Sequence, residues 1–166
     1  DAFEANGFSI GLGTHDEGAG VAQRLQSIGA IRTGQHAVLT PSGSNEILYQ
    51  VDVSASRAII FSTSATGAGG MSVTPGRLGW ILSAHPAGDD GHAAEVSLCP
   101  AFWRLGASDL RLLSGQEPFQ FQYFDVARVR FALQRGQFCL LAPTRAVGGR
   151  NTLDRFLFEV PGKDKV

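Results

Sequence analysis

The chain has 166 residues, 43% of them hydrophobic and 17% charged, with a net charge of -1. That length fits one domain with a sizeable core. The charge balance, with no basic block, excludes electrostatic capture of nucleic acid or of an anionic membrane. No apolar run reaches the ~18 residues of a membrane span. With so few charges, Ser, Thr, Gln, Asn and Gly must carry the surface, which suits an extracellular, periplasmic or cell-surface bacterial protein. Twelve of the 14 basic residues are Arg, a bias that a GC-rich genome explains most simply.

In chain order, residues 1–17 read as irregular, with Gly7, Gly11 and Gly13 among them. The chain starts abruptly at Asp1, as a form trimmed at its N-terminus would. A helix is expected between Gly18 and Gly34, because Val21, Leu25 and Ile28 recur at i, i+4 and i+7. Ala37–Leu39 reads as a short strand and Thr40–Asn45 as a turn cluster. Ile47–Val53 alternates as a half-buried strand, and Ala58–Ser64 is a more continuously apolar one. Thr66–Gly76, rich in Gly, reads as a mobile loop. Leu78–Ala84 is a strand, His85–Gly91 a polar loop, and Glu95–Cys99 a strand ended by Pro100. Phe102–Leu113 fits a short helix or a bent strand. Phe119, Phe121 and Tyr123 alternate, as do Val129, Phe131 and Leu133, which reads as a hairpin. Phe138–Leu141 and Phe156–Val160 are the last strands, with a turn at Ala146–Arg150 between them. The sum is a single α+β domain, mainly antiparallel sheet with one N-terminal helix.

Cys99 and Cys139 both lie in apolar, strand-like contexts. They could form one disulfide in an oxidising compartment or stay as two buried thiols; their spacing matches no zinc pattern.

Two constellations carry chemistry-bearing side chains. The strand ending in Ser62-Thr63-Ser64 delivers three hydroxyls in a row, and Glu95 leads a later strand. Strand-borne hydroxyls can orient a catalytic acid, and a strand-borne carboxylate can polarise a leaving group. The commoner reading is a strand end suited to its turn and a solvated Glu. The second constellation is His85, Asp89, Asp90, His92 and Glu95, two imidazoles and three carboxylates within eleven residues. These side chains suit zinc, calcium or magnesium, although the spacing fits no named motif. Phe119, Phe121, Tyr123, Phe124 and Phe131 could form a stacking platform, but without basic neighbours they read as core.

Phe61-Ser62-Thr63-Ser64, the apolar run Arg77–Leu82, Ala93-Ala94-Glu95-Val96-Ser97 and the early Phe3–Ser9 segment together resemble the catalytic domain of bacterial mono-ADP-ribosyltransferase toxins of the cholera and pertussis type. The resemblance implies NAD as cofactor. Ser62 would orient the catalytic acid, Thr63 and Ser64 would support the nicotinamide pocket, and Glu95 would stabilise an oxocarbenium-like transition state. The chain departs from that pattern in three ways, one being a gap from Phe8 to Ser62 longer than the family's. No counterpart of the family's arginine precedes Gly7-Phe8, and Ala93 stands where the first acid of the Glu pair belongs.

A β-rich secreted domain with a helix near its start also resembles the globular head of a pilin-like or pseudopilin-like subunit, with residues 21–33 as the stub of the packing helix. Because the catalytic set is incomplete, the sequence favours a surface-exposed or secreted subunit. It would act through contacts with other protein subunits and need no cofactor, its loops Thr66–Gly76 and His85–Gly91 making the contacts. The transferase is the alternative.

Overall fold

A computed structural model describes residues 2–28, 44–63, 67–88, 92–104, 121–144 and 151–158. Its frame is mainly antiparallel β-sheet. The largest sheet is built on two long strands, β5 (Gly76–Ala87) and β6 (Ala93–Trp103), paired from Arg77↔Trp103 to Ala87↔Ala93. Strand β2 (Ser44–Val53) pairs with the other edge of β5, with a bulge between Ile47 and Tyr49.

The free edge of β6 takes two short strands end to end. Strand β7 (Phe121–Tyr123) covers Ala101–Trp103, and β8 (Val129–Gln134) covers Ala93–Leu98. The two alternating segments are therefore one interrupted strand and not the expected hairpin. Alternation alone cannot distinguish these, because both arrangements share the period of two. A 3-10 turn, Asp125–Ala127, fills the interruption and sends Phe124 and Ala127 into the core. Pro100 falls in this gap, so β6 does not end there as expected. A proline within a strand is tolerated where the ladder asks for no N–H. Its carbonyl still accepts the Phe124 N–H at 2.9 Å.

Strand period divides β5 and β6 into two faces. Leu78, Trp80, Leu98 and Phe102 face the main core, together with Val53, Phe124 and Ala127. Ile81, Ala101 and Trp103 face the other way and cluster with Ile47 and Phe121.

Two smaller ribbons and two short helices cover the core face. Strand β3 (Arg57–Ser62) pairs with β4 (Ala68–Val73), contributing Ile59 and Val73. The expected loop Thr66–Gly76 thus contains a strand: its glycines sit among Ala68, Met71 and Val73, and pairing with β3 overrides their turn preference. Residues 2–17 are likewise ordered. Helix α1 (Ala2–Ala5) leads through Gly7, at φ 81°, into β1 (Phe8–Thr14). β1 pairs with β9 (Gln137–Pro143) from Phe8↔Pro143 to Thr14↔Gln137. Phe8 is fully buried, its ring 4.8 Å from that of Trp80 and 5.4 Å from that of Phe3.

Helix α3 (Leu153–Phe158) takes Phe156–Phe158, the described part of the strand expected over Phe156–Val160. The deciding residues lie upstream: Leu153 and Leu157, one helical turn apart, are both fully buried. The chain enters α3 along β3, where the Ile60 N–H donates to Asn151 O at 2.8 Å. The expected helix is present as α2 (His15–Ser27), shorter than Gly18–Gly34 at its end and longer at its start. The expected strand Ala37–Leu39, the turn at Ala146–Arg150 and most of Phe102–Leu113 lie outside the described residues.

The two cysteines are separate thiols. Cys99 alternates with Leu98 on β6 and so faces away from the main core, whereas Cys139 on β9 packs against that core. A disulfide needs Cα atoms within about 7 Å, and the main sheet stands between these two side chains.

Candidate functional site

The hydroxyl strand end and Glu95 are placed by different parts of the fold. Ser62 closes β3, half-buried, and is tied to the α1 turn. Its N–H donates to Asn6 Oδ1 at 2.8 Å, its carbonyl accepts from Asn6 Nδ2 at 2.9 Å, and its hydroxyl donates to Ala5 O at 3.1 Å. The Asn6 amide thus pairs with Ser62 as a neighbouring strand would. Thr63 is exposed, its N–H closing the turn onto Gly67 O at 3.0 Å; Ser64 lies outside the described residues. Glu95 is exposed on β6, in register with His85 on one side and Ala132 on the other. It alternates with the buried Val96 and Leu98, so it stands on the face of the main sheet turned away from the β3–β4 ribbon.

His85, although read as loop, belongs to β5, where the sheet sets it directly across from Glu95. His92 is exposed beside the start of β6, and Asp89 and Asp90 lie outside the described residues. Among the described residues, no three His, Cys, Asp or Glu side chains gather as a metal site. The aromatic set divides. Phe124 and Phe131 belong to the main core and Phe121 to the second cluster, while Tyr123 is exposed with the Arg128 guanidinium 5.6 Å from its ring centre. Phe119 lies outside the described residues.

A site that sequence reading missed lies on the outer side of the β1–β9 ribbon. Alternation sends Phe8, Ile10, Cys139 and Leu141 toward the core. Gly11, Gly13, Phe138 and Leu140 therefore share the outer face, where α2 lies. The contact between helix and ribbon is made by Phe138 against two glycines. A Cβ on Gly13 would stand 2.5 Å from the Phe138 ring and one on Gly18 at 3.0 Å, so each would crowd it. The helix start is fixed by Glu17, whose carboxylate accepts from the Thr14 N–H at 2.8 Å and the Thr14 hydroxyl at 3.0 Å. Those bonds, the backbone one first, hold the Glu17 carboxyl below its usual range.

Around Phe138 the helix and ribbon do not close fully against each other. They leave an open groove of about 590 Å³ lined by His15, Val21, Ala22, Leu25 and Gln26 from the helix and Gln137 and Leu140 from β9, among others. None of its lining residues is Asp, Glu, Lys or Arg. No residue of α2 is buried, and Leu25 is 40% and Leu140 37% exposed. The sequence signal was the apolar repeat Val21, Leu25, Ile28. It was read as a core-facing stripe, and its exposure depends on what the ribbon leaves uncovered. Comparison with protein families, characterised proteins and solved structures finds no match for this chain.

Proposed function

We propose that this chain is a secreted or surface-exposed bacterial subunit that acts through contacts with other protein subunits, made by the groove between α2 and β9. One observation carries the reading: a 13-residue helix buries none of its residues, and Val21 and Leu25 of its apolar repeat line a groove that holds no Asp, Glu, Lys or Arg. Its polar groups are the His15 imidazole and the Gln26 and Gln137 amides, and its apolar walls fit the apolar side chains of a protein segment. The low content of charged residues supports an extracellular, periplasmic or cell-surface location. The form of the role we favour is a pilin-like or pseudopilin-like assembly subunit, and it needs no cofactor. The contact site moves from the two loops first expected to the helix, because the residues of the first loop are engaged in β4 and His85–Ala87 in β5.

The test places a photo-crosslinking side chain at Leu25 or, as control, at the exposed Gln122, in the organism that makes the protein. The reading expects one product of defined mass from Leu25, lost when Leu140→Asp charges the groove, and none from Gln122. Equal labelling from both positions refutes it. NAD hydrolysis by the purified chain, abolished by Glu95→Gln, would put an ADP-ribosyltransferase in its place.

A further inference from the structure

We infer that the partner seated on α2 is a second copy of this chain, packed antiparallel about a twofold axis near Val21; the inference rests on the preceding reading. Helical spacing of 100° per residue sorts α2 into two flanks. Gly18, Ala22 and Gln26 turn toward β9 and line the groove, whereas Glu17, Arg24 and Ile28 are absent from that lining. Glu17, Arg24 and Ile28 fall together on the adjoining flank, with Val21, which also lines the groove, at the boundary between the two. Ile28 is 80% exposed, and Arg24 is exposed as well.

This flank is self-complementary. Glu17 and Arg24 are seven residues apart, two turns or about 10.5 Å along one edge. A twofold axis near Val21 brings each Glu17 opposite the other chain's Leu25 and beside its Arg24, so two ion pairs form by symmetry. Val21 meets its symmetry mate. Ile28 then covers the other chain's first turn. Antiparallel pairing also sets the acidic first turn of each helix, with Asp16 and Glu17, against the basic last turn of its mate. A parallel pairing would place like charges together. A single helix about 20 Å long buries less than the ~1,200 Å² of a standard interface. The dimer is therefore a weak one that forms and dissociates with concentration.

Sedimentation of the purified chain from about 10 µM to about 1 mM tests this. The mass is expected to rise toward two chains, and added salt to weaken the association. Ile28→Ser and Val21→Arg should hold the chain as monomer with unchanged far-UV circular dichroism. Arg24→Glu should weaken the dimer about fivefold by setting carboxylate against carboxylate. Adding Glu17→Gln, which keeps the helix cap, should recover part of that loss. A monomer at every concentration overturns the inference. So does a dimer indifferent to Val21→Arg, or a double variant no tighter than Arg24→Glu alone. A monomer that still crosslinks through Leu25 to another protein overturns the second copy and leaves the proposed function standing. A monomer with no such crosslink removes both.

Discussion

Replacing Asn6 by Ala tests whether its side chain, and not the Ser62 hydroxyl, organises this corner of the fold. Asn6 is 5% exposed. Its amide makes three hydrogen bonds: Nδ2 donates to Ala2 O at 2.7 Å and Ser62 O at 2.9 Å, and Oδ1 accepts the Ser62 N–H at 2.8 Å. At about 1 kcal/mol each, their loss amounts to about 3 kcal/mol, with the Ser62 backbone groups left unpaired beside α1. For a chain of this size that lowers Tm by about 6–12 °C. Ser62→Ala removes one bond of 3.1 Å at a half-buried position and should cost about 0.5–1 kcal/mol. Urea unfolding followed by the fluorescence of buried Trp80 and Trp103 gives both values. An Asn6→Ala loss below about 1 kcal/mol, or a Ser62→Ala loss equal to it, refutes the account.

Other outcomes follow from the same packing. Phe138→Ala removes the side chain that holds α2 to the ribbon. It should cost about 2 kcal/mol and speed tryptic cleavage after Arg24, and an unchanged cleavage rate would contradict that anchoring. Burial pushes the Cys99 thiol from 9.0 up to about 12. The folded thiol keeps its proton while the unfolded one ionises, so its stabilising effect is complete below pH 9 and is lost as pH rises from there to about 12. Wild type should therefore lose more stability than Cys99→Ala over that range, and native Cys99 should resist a thiol reagent at pH 8 (~0.01% thiolate at a pKa of about 12). The Glu17 carboxyl is held low, so its helix cap is present above the usual carboxylate value of 4.5 and is lost as pH falls through the lower folded value. Amide chemical shifts at Thr14 should report that titration below pH 4.5, and Glu17→Gln should remove it.

The β-rich character and the positions of β2, β3, β5 and β9 were legible because their apolar residues alternate or run together. Alternation states which face a residue takes but not which strand it meets. Phe121–Tyr123 and Val129–Leu133 therefore read as partners, whereas both pair with β6. Local turn preference misled where pairing decides: Gly69 and Gly70 lie in β4. At α3 the eye fell on Phe156–Val160, while the helical pair was Leu153 and Leu157. Glu95 and His85 were both singled out, yet only register could show that they face each other across β5 and β6. The groove was not legible, because the repeat Val21, Leu25, Ile28 looks the same whether its helix lies under a sheet or on top of one.

The pairing of β1 with β9 joins residues as far as 135 positions apart, Phe8 with Pro143, and includes the bond from the Ser9 hydroxyl to Ala142 O. The β5–β6 pair, in contrast, forms between neighbours in the chain. Closing so long a loop delays that ribbon relative to the β5–β6 pair during folding. It also makes the ribbon a natural place for the fold to open first. The groove is then assembled from the segment that arrives last. Its surface is withheld until the rest of the chain has folded, so an incomplete subunit would not present it to a partner.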